Sequence, residues 1–525
     1  MKTEFPERFN MADYFLYDNL EKGRADKVCL YYRDGQWTYG DVARWSNRAG
    51  NALRELGARV EDRVLFVLPD CPEFVAGWFG ASKIGAVITM VNPLLTVSDY
   101  VYYLDYTRAR VAVIAESLVE TFAEAAKDAK YLRNVLVVAD MSKVQSPKSK
   151  VPNPNFTFFH HIVEEMSDEL TPADTSRDDI ALWLFTSGST GHPKGAVHLH
   201  HDLPFNTEVF AKQTIGVRED DLTVGVPKLF FGYATGTNLL FPFAVGGATV
   251  LFSNRSTAQK MYEVIAKYRP TILTTVPTMI NAMLNAPEAA GADLSCLRFC
   301  YSAGEALPPE LYLRWRERFG VEIYDGIGSA EMFHIYVSNR PGDVKLGSLG
   351  RVVEGYEAKI ADAEGRAVPT GEMGQLHIKG DSAAICYWRN HEASKEKFAG
   401  DWCFTGDLFH QDAEGYFWYH GRADDMLKVG GVWVAPIEIE NCLLQHEAVL
   451  ECAVIGHDAG DGLVKSKAFI VLREGHAASE ELTAAIQNFV KRTLAPYKYP
   501  RWIEYRAELP KNDRGKTDKK LLKES

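Results

Sequence analysis

ALWLFTSGSTGHPKG, residues 181–195, sets five apolar residues in front of a run of glycines and hydroxyls that holds a single lysine. The apolar part, 181–185, reads as a strand buried on both faces, because no polar residue alternates with its side chains. The loop behind it can turn backbone N–H groups and hydroxyls toward a phosphate chain, with Lys194 as the counter-charge. A Walker A loop needs Ser or Thr straight after the lysine, and here Gly195 follows Lys194.

Upstream, Val42, Trp45, Ala49, Leu53 and Leu56 fall at helical spacing between Thr38 and Gly57. Strands follow at 64–68, 86–91, 111–114 and 135–138, with helices at 73–84, 98–106 and 118–130 between them. Such alternation predicts a mostly parallel sheet covered by helices. SPKSKVPNPN, 146–155, reads as a surface connector. A second alternating series is expected to open at 181–185 and to continue through 248–252, 271–275, 298–302 and 321–325, giving two similar α/β halves. After about Leu346 glycines multiply, as in a small β-rich module, and from about 425 strands and helices alternate again in a compact α/β domain.

The chain has 525 residues, enough for at least two domains, with 46% hydrophobic and 24% charged residues, as in a soluble globular protein. Its 58 basic and 70 acidic side chains give a net charge of -12, which argues against nucleic acid and anionic membranes as partners. No window reaches the roughly 18 apolar residues of a membrane span. The start, MKTEFPERFNMADYF, lacks a basic stretch followed by an apolar one, so a cytoplasmic location is expected. The eight cysteines form no CxxC pair and read as core thiols.

Further motifs follow in a fixed order: SAGE (302–305), YDGIGSAE (324–331), FTGDL (404–408), GRADDMLKVGGVWVAPIEIE (421–440) and PKNDRGKTDKK (510–520). Together with 186–195 they resemble the acyl-adenylate-forming superfamily, which includes acyl-CoA ligases, adenylation domains of peptide synthetases and firefly-type luciferases. The resemblance spans nearly the whole chain and implies an N-terminal domain, 1–423, and a mobile C-terminal domain, 424–525.

It also implies site residues. Thr186, Ser187, Gly188, Ser189, Thr190, Gly191 and Lys194 would hold the ATP phosphates; Ala303, Gly304, Glu305 and Tyr324 would lie about adenine, and Asp325 would belong to the same ATP site. Asp407 would grip the ribose hydroxyls, Arg422 would contact the nucleotide, and Glu331 would hold Mg²⁺, a hard cation that favours carboxylate oxygen. Asp424 would be the hinge and Lys516 the catalytic lysine, while Lys428, Gly430, Gly431 and Trp433 belong to a loop that swings toward coenzyme A. The implied reaction is ATP-dependent, AMP-forming ligation of a carboxylate to coenzyme A.

VPKLFFGYATGTNLLFPF (226–243) and EMFHIYVSN (331–339) are most similar to benzoate–CoA ligases. By that likeness Gly232, Tyr233, Gly328, His334 and Ile335 line the acyl pocket. Related enzymes carry alanine where this chain has Gly232, and one methyl fewer beside the ring points to 2-aminobenzoate (anthranilate) or a hydroxybenzoate. Residues 228–237 lack the aspartate with which an amino-acid-activating module holds an α-ammonium group. A luciferase-like oxygenase remains as an alternative that a coenzyme A requirement would separate, and the sequence leaves open a monomer or a homodimer.

Overall fold

A computed structural model of the protein describes residues 3–139, 155–186, 192–429, 432–458, 464–511 and 517–523. The expected connector, apart from Asn155, lies outside them.

The helix foreseen after Thr38 runs Tyr39–Glu55 and begins in a capping box: the Thr38 side chain accepts the Asp41 N–H, and the Asp41 carboxylate accepts the Thr38 N–H. Its buried face, with Val42, Ala49 and Leu53, packs on the helix Pro72–Lys83, which is buried along its whole length. That second helix sits against an eight-stranded sheet. The order across it is Cys386–Tyr387, Lys194–Leu199, Ile180–Thr186, Val87–Met90, Arg63–Val67, Val111–Ala115, Asn134–Val138 and Phe156–Phe158. Pairs from Ile180–Thr186 onward are parallel, and the two pairs at the other edge are antiparallel.

A nine-stranded sheet follows the order Arg351–Val352, Ile335–Ser338, Ile323–Gly328, Phe299–Ala303, Ile272–Thr275, Leu222–Gly225, Ala248–Leu251, Val28–Tyr32 and Gly35–Thr38. Two helix-covered halves are therefore present, but the chain does not divide between them as expected. The strand Ile180–Thr186 belongs to the first sheet, beside Val87–Met90, instead of opening the second. In exchange, the hairpin at 28–38 completes the second sheet by pairing Val28–Tyr32 with Ala248–Leu251. An apolar run buried on both faces looks the same in either sheet, so composition cannot assign it.

A five-stranded antiparallel module, Glu357–Ala361, Gly374–Lys379, Phe398–Ala399, Trp402–Gln411 and Phe417–Arg422, comes next. After the short turn Ala423–Asp425 the C-terminal domain has its own core of Ile439, Leu443, Val454, Ile470, Ile486 and Val490. It is built on Val449–Asp458, Val464–Leu472 and Trp502–Tyr505, flanked by Pro436–Leu443 and Glu480–Thr493.

Candidate active site

The carboxyl ends of parallel strands from both sheets converge on one cavity of about 340 Å³. Its wall takes Met90 to Asn92 and Leu95 from behind one strand, Leu184 and Phe185 from the next, and Pro227 and Phe230 to Tyr233 from the second sheet; Ala303, Gly304, Gly328 to Ala330 and Phe333 to Ile335 close it. Clefts at strand carboxyl ends are where open α/β sheets bind ligands, because the loops there are free of sheet pairing. All five residues expected in the acyl pocket line this cavity, as do Ala303 and Gly304.

Tyr233 spans the floor, its hydroxyl 3.1 Å from the carbonyl of Tyr301 and 3.3 Å from that of Thr275, and burial holds the phenol protonated. His334 Nε2 donates to the Tyr233 carbonyl at 3.0 Å, so the histidine ties the helix Gly232–Thr235 to the segment after Gly328. Burial pushes its pKa down to about 4, which leaves the imidazole neutral. Nδ1 of this ring has no partner among the described residues. The bend between Glu331 and His334 is a tight γ-turn, in which the His334 N–H donates to the Met332 carbonyl and Phe333 takes φ +64°.

Gly232 stands where sequence suggested spare room, yet a Cβ there would lie 2.7 Å from Cδ1 of Leu184. The space of the missing methyl is thus filled by a movable leucine that itself lines the cavity. Gly328 is less forgiving, since a Cβ would lie 2.4 Å from the His334 carbonyl oxygen and 2.9 Å from the Ile335 nitrogen, both backbone. Gly328→Ala should therefore push the cavity wall inward, costing about 1–3 kcal/mol of stability. A thermal unfolding midpoint lowered by several degrees, with weakened acid binding, is the expected result; an unchanged midpoint would show that the wall yields freely.

Among the residues expected at the nucleotide, Tyr324 is buried and packs on Phe299 with ring centroids 5.0 Å apart. Burial lifts the Asp325 carboxyl to about 8, and its Oδ2 accepts the Leu307 N–H at 3.2 Å. Glu305 faces away from this cavity: its Oε2 accepts the Thr278 hydroxyl at 2.7 Å and lines a second cleft. Asp407 and Arg422 sit opposite each other on paired antiparallel strands, with Nη1 3.5 Å from Oδ1. Burial raises the Asp407 pKa, and the charges of Arg422 and Lys397 work against that rise.

Glu331 is buried and accepts the Tyr387 hydroxyl. Burial alone would raise its pKa, but the charge of Lys397 and the Tyr387 hydrogen bond outweigh it, leaving the carboxyl below its ordinary range. An ionised carboxylate inside a wall of protein is a fitting donor for Mg²⁺, which commonly takes only one or two such ligands beside phosphate oxygens. Lys194 lies over the Tyr387 ring, 5.4 Å from its centroid, and pairs through its backbone with Thr186. Thr186 and Lys194 therefore stand at facing ends of two paired antiparallel strands. Ser187, Gly188, Ser189, Thr190 and Gly191 of the expected phosphate loop lie outside the described residues, as do Gly430, Gly431 and Lys516. Lys428 and Trp433 face each other in the backbone register of a hairpin, and Asp424 is exposed in the turn before it.

The second cleft, of about 540 Å³, lies between the two domains and is lined by Thr278, Arg422, Glu440 and Thr517 among others. Across it Asn281 Nδ2 donates to the Leu450 carbonyl at 3.0 Å, and Arg473 Nη1 donates to Asn285 Oδ1 at 2.9 Å. Sequence reasoning missed Tyr387 and Leu184, neither of which stands in a motif.

The model of the AMP-binding enzyme family matches residues 17–388, and that of the AMP-binding enzyme C-terminal domain matches 438–516. A benzoate–CoA ligase of Thauera aromatica is 43% identical over 99% of this chain and 97% of its own length. A 4-hydroxybenzoate–CoA/benzoate–CoA ligase of Rhodopseudomonas palustris is 37% identical over 98% and 94%. Among solved structures, an anthranilate CoA ligase in complex with anthranoyl-AMP superposes with a TM-score of 0.93 at 40% identity, covering 99% of this chain and 98% of that one. With both domains matched along nearly its whole length, the chain belongs to the AMP-binding enzyme family.

Proposed function

We propose that the protein activates a benzoate-type aromatic acid with ATP and passes the acyl group from the adenylate to coenzyme A. The observation that carries this reading is the composition of the cavity wall: Tyr233, Phe230, Phe231, Phe333, Ile335 and Leu184 surround it, and among the described residues no charged side chain lines it beside the neutral His334. A flat ring with one carboxylate suits such a slot, whereas an amino acid would leave its ammonium group unpaired. Likeness to the benzoate ligases along the whole chain supports the same substrate class.

Carboxylate and triphosphate repel each other, so the chain must hold both and screen their charge. Lys194 and the loop around it would take the phosphates, Asp407 the ribose hydroxyls, and Tyr324 one face of adenine. Mg²⁺ held by Glu331 would neutralise charge on the phosphate oxygens. Lys516 would bridge the attacking carboxylate and the α-phosphate as pyrophosphate leaves. Rotation about Asp424 would then withdraw Lys516 and bring Lys428 to Trp433 against the cavity, so that the coenzyme A thiol can reach the acyl carbon and AMP can depart.

Within this class we assign 2-aminobenzoate as the preferred acid, supported by likeness to the anthranilate ligase and by Leu184, whose movable end stands beside Gly232. Eight cysteines without a disulfide agree with a reducing cytosol. No helix among the described residues is long and apolar enough to cross a membrane.

AMP release with benzoate, aminobenzoates, hydroxybenzoates, short fatty acids and amino acids, each with and without coenzyme A, tests the reading. Turnover that needs coenzyme A and favours 2-aminobenzoate is expected; preference for an amino or fatty acid would overturn the substrate class. Gly232→Ala should push Leu184 into the slot and lower kcat/KM for 2-aminobenzoate about tenfold relative to benzoate, since one methylene in a pocket commonly discriminates by that much. Equal effects on both acids would remove Gly232 from the account of specificity.

A further inference from the structure

Glu331 rides on the three-residue turn Ala330–Met332, and each carbonyl of that turn is held by a donor from outside it. The Glu331 carbonyl accepts the Ala384 N–H at 2.7 Å, and the Met332 carbonyl accepts the Ser382 hydroxyl at 2.9 Å. The Ala330 carbonyl accepts Nε2–H of His198 at 2.7 Å. His198 is fully buried in the strand Lys194–Leu199, and its Nδ1 lies 2.8 Å from Oδ2 of Asp202, which also accepts the Leu199 N–H at 3.2 Å. A carbonyl can only accept, so Nε2 carries a proton, and the contact of Nδ1 with Asp202 Oδ2 holds a second proton between ring and carboxyl, which fixes the ring from its other side.

Burying an imidazole and a carboxylate is costly unless both are fully bonded, and an apolar pair would fill the same space without that cost. Here the pair joins the strand that begins at Lys194 to the turn that carries Glu331. We propose that His198 and Asp202 are positioning residues that set the Glu331 carboxylate against the phosphates held by Lys194. The proposal rests on the reading of Glu331 as the Mg²⁺ ligand.

Substitutions can separate the two ring nitrogens, because glutamine can still present an N–H near the Nε2 position and asparagine only near Nδ1. Mn²⁺ binding to the full-length protein with α,β-methylene-ATP, followed by electron paramagnetic resonance, is the readout. His198→Asn should weaken Mn²⁺ binding about tenfold, the scale on which outer partners tune metal sites, while His198→Gln stays within about threefold of the wild type. Thioester formation from supplied benzoyl-AMP and coenzyme A should change less than twofold in both, which reports an intact fold. Unaltered Mn²⁺ binding in His198→Asn would overturn the proposal, and so would a parallel loss of Mn²⁺ binding and thioester formation in both variants. Glu331→Gln is the separate control: if it binds Mn²⁺ like the wild type, the reading of Glu331 fails whatever His198 does.

Discussion

Lys516→Ala should lower adenylation by about 10²–10³-fold, the scale seen when one preorganised charge partner is removed from a transition state. Thioester formation from supplied acyl-AMP should remain near the wild-type rate. Two neighbouring lysines of the same segment are already committed: Lys511 pairs with Glu451, and Lys519 Nζ lies 2.7 Å from the buried Glu440. These pairs hold Lys511 and Lys519 to their own domain, and Thr517 lines the cleft between the domains. On the proposed reading rotation of the C-terminal domain delivers Lys516 for the first half-reaction alone, so that step should feel its loss and the other should not. Pyrophosphate release measures the first step and benzoyl-CoA from benzoyl-AMP the second. If both fall together, Lys516 serves the fold and not the chemistry.

Glu331→Gln should have an effect of similar size, for a different reason. Glutamine keeps the length of the side chain and can still accept the Tyr387 hydroxyl, so packing around the turn is preserved. What disappears is a buried negative charge that feels the charge of Lys397 and, on the proposed reading, would serve the Mg²⁺ beside the ATP phosphates. Loss of several kcal/mol of charge stabilisation corresponds to roughly 10²–10³ in rate. The expected signature is adenylation that no longer saturates with Mg²⁺ in the range where the wild type does, together with an unfolding midpoint close to the wild type. An unchanged Mg²⁺ titration would assign the ion to other groups.

Local structure was legible in the sequence where one physical cause dominated. Helical spacing between Thr38 and Gly57 announces a helix, and Tyr39–Glu55 is there, opened by a capping box. Apolar runs such as 64–68, 111–114 and 135–138 become central strands of the first sheet. Pairing was not legible, because the run at 181–185 carries no sign that its neighbour is Val87–Met90. The residues that motif likeness assigns to the acid, Tyr233 and His334 among them, do line one cavity. Leu184 escaped because its part depends on which rotamer fills the gap beside Gly232. His198 and Asp202 escaped too, for a histidine in an apolar strand reads like any satisfied core residue until its two partners are known.

The exchange of strands between the sheets has a temporal side. On the ribosome, Val28–Tyr32 appears early and must wait for Ala248–Leu251 before it has its parallel partner. Lys194–Leu199 likewise keeps one edge open until Cys386–Tyr387 emerges roughly two hundred residues later, about 20 s at ordinary synthesis rates. During that interval the nascent chain carries an unpaired strand edge, the kind of template on which chains stick to one another. A shortened chain ending before Cys386 would keep that edge of Lys194–Leu199 unpaired for its lifetime.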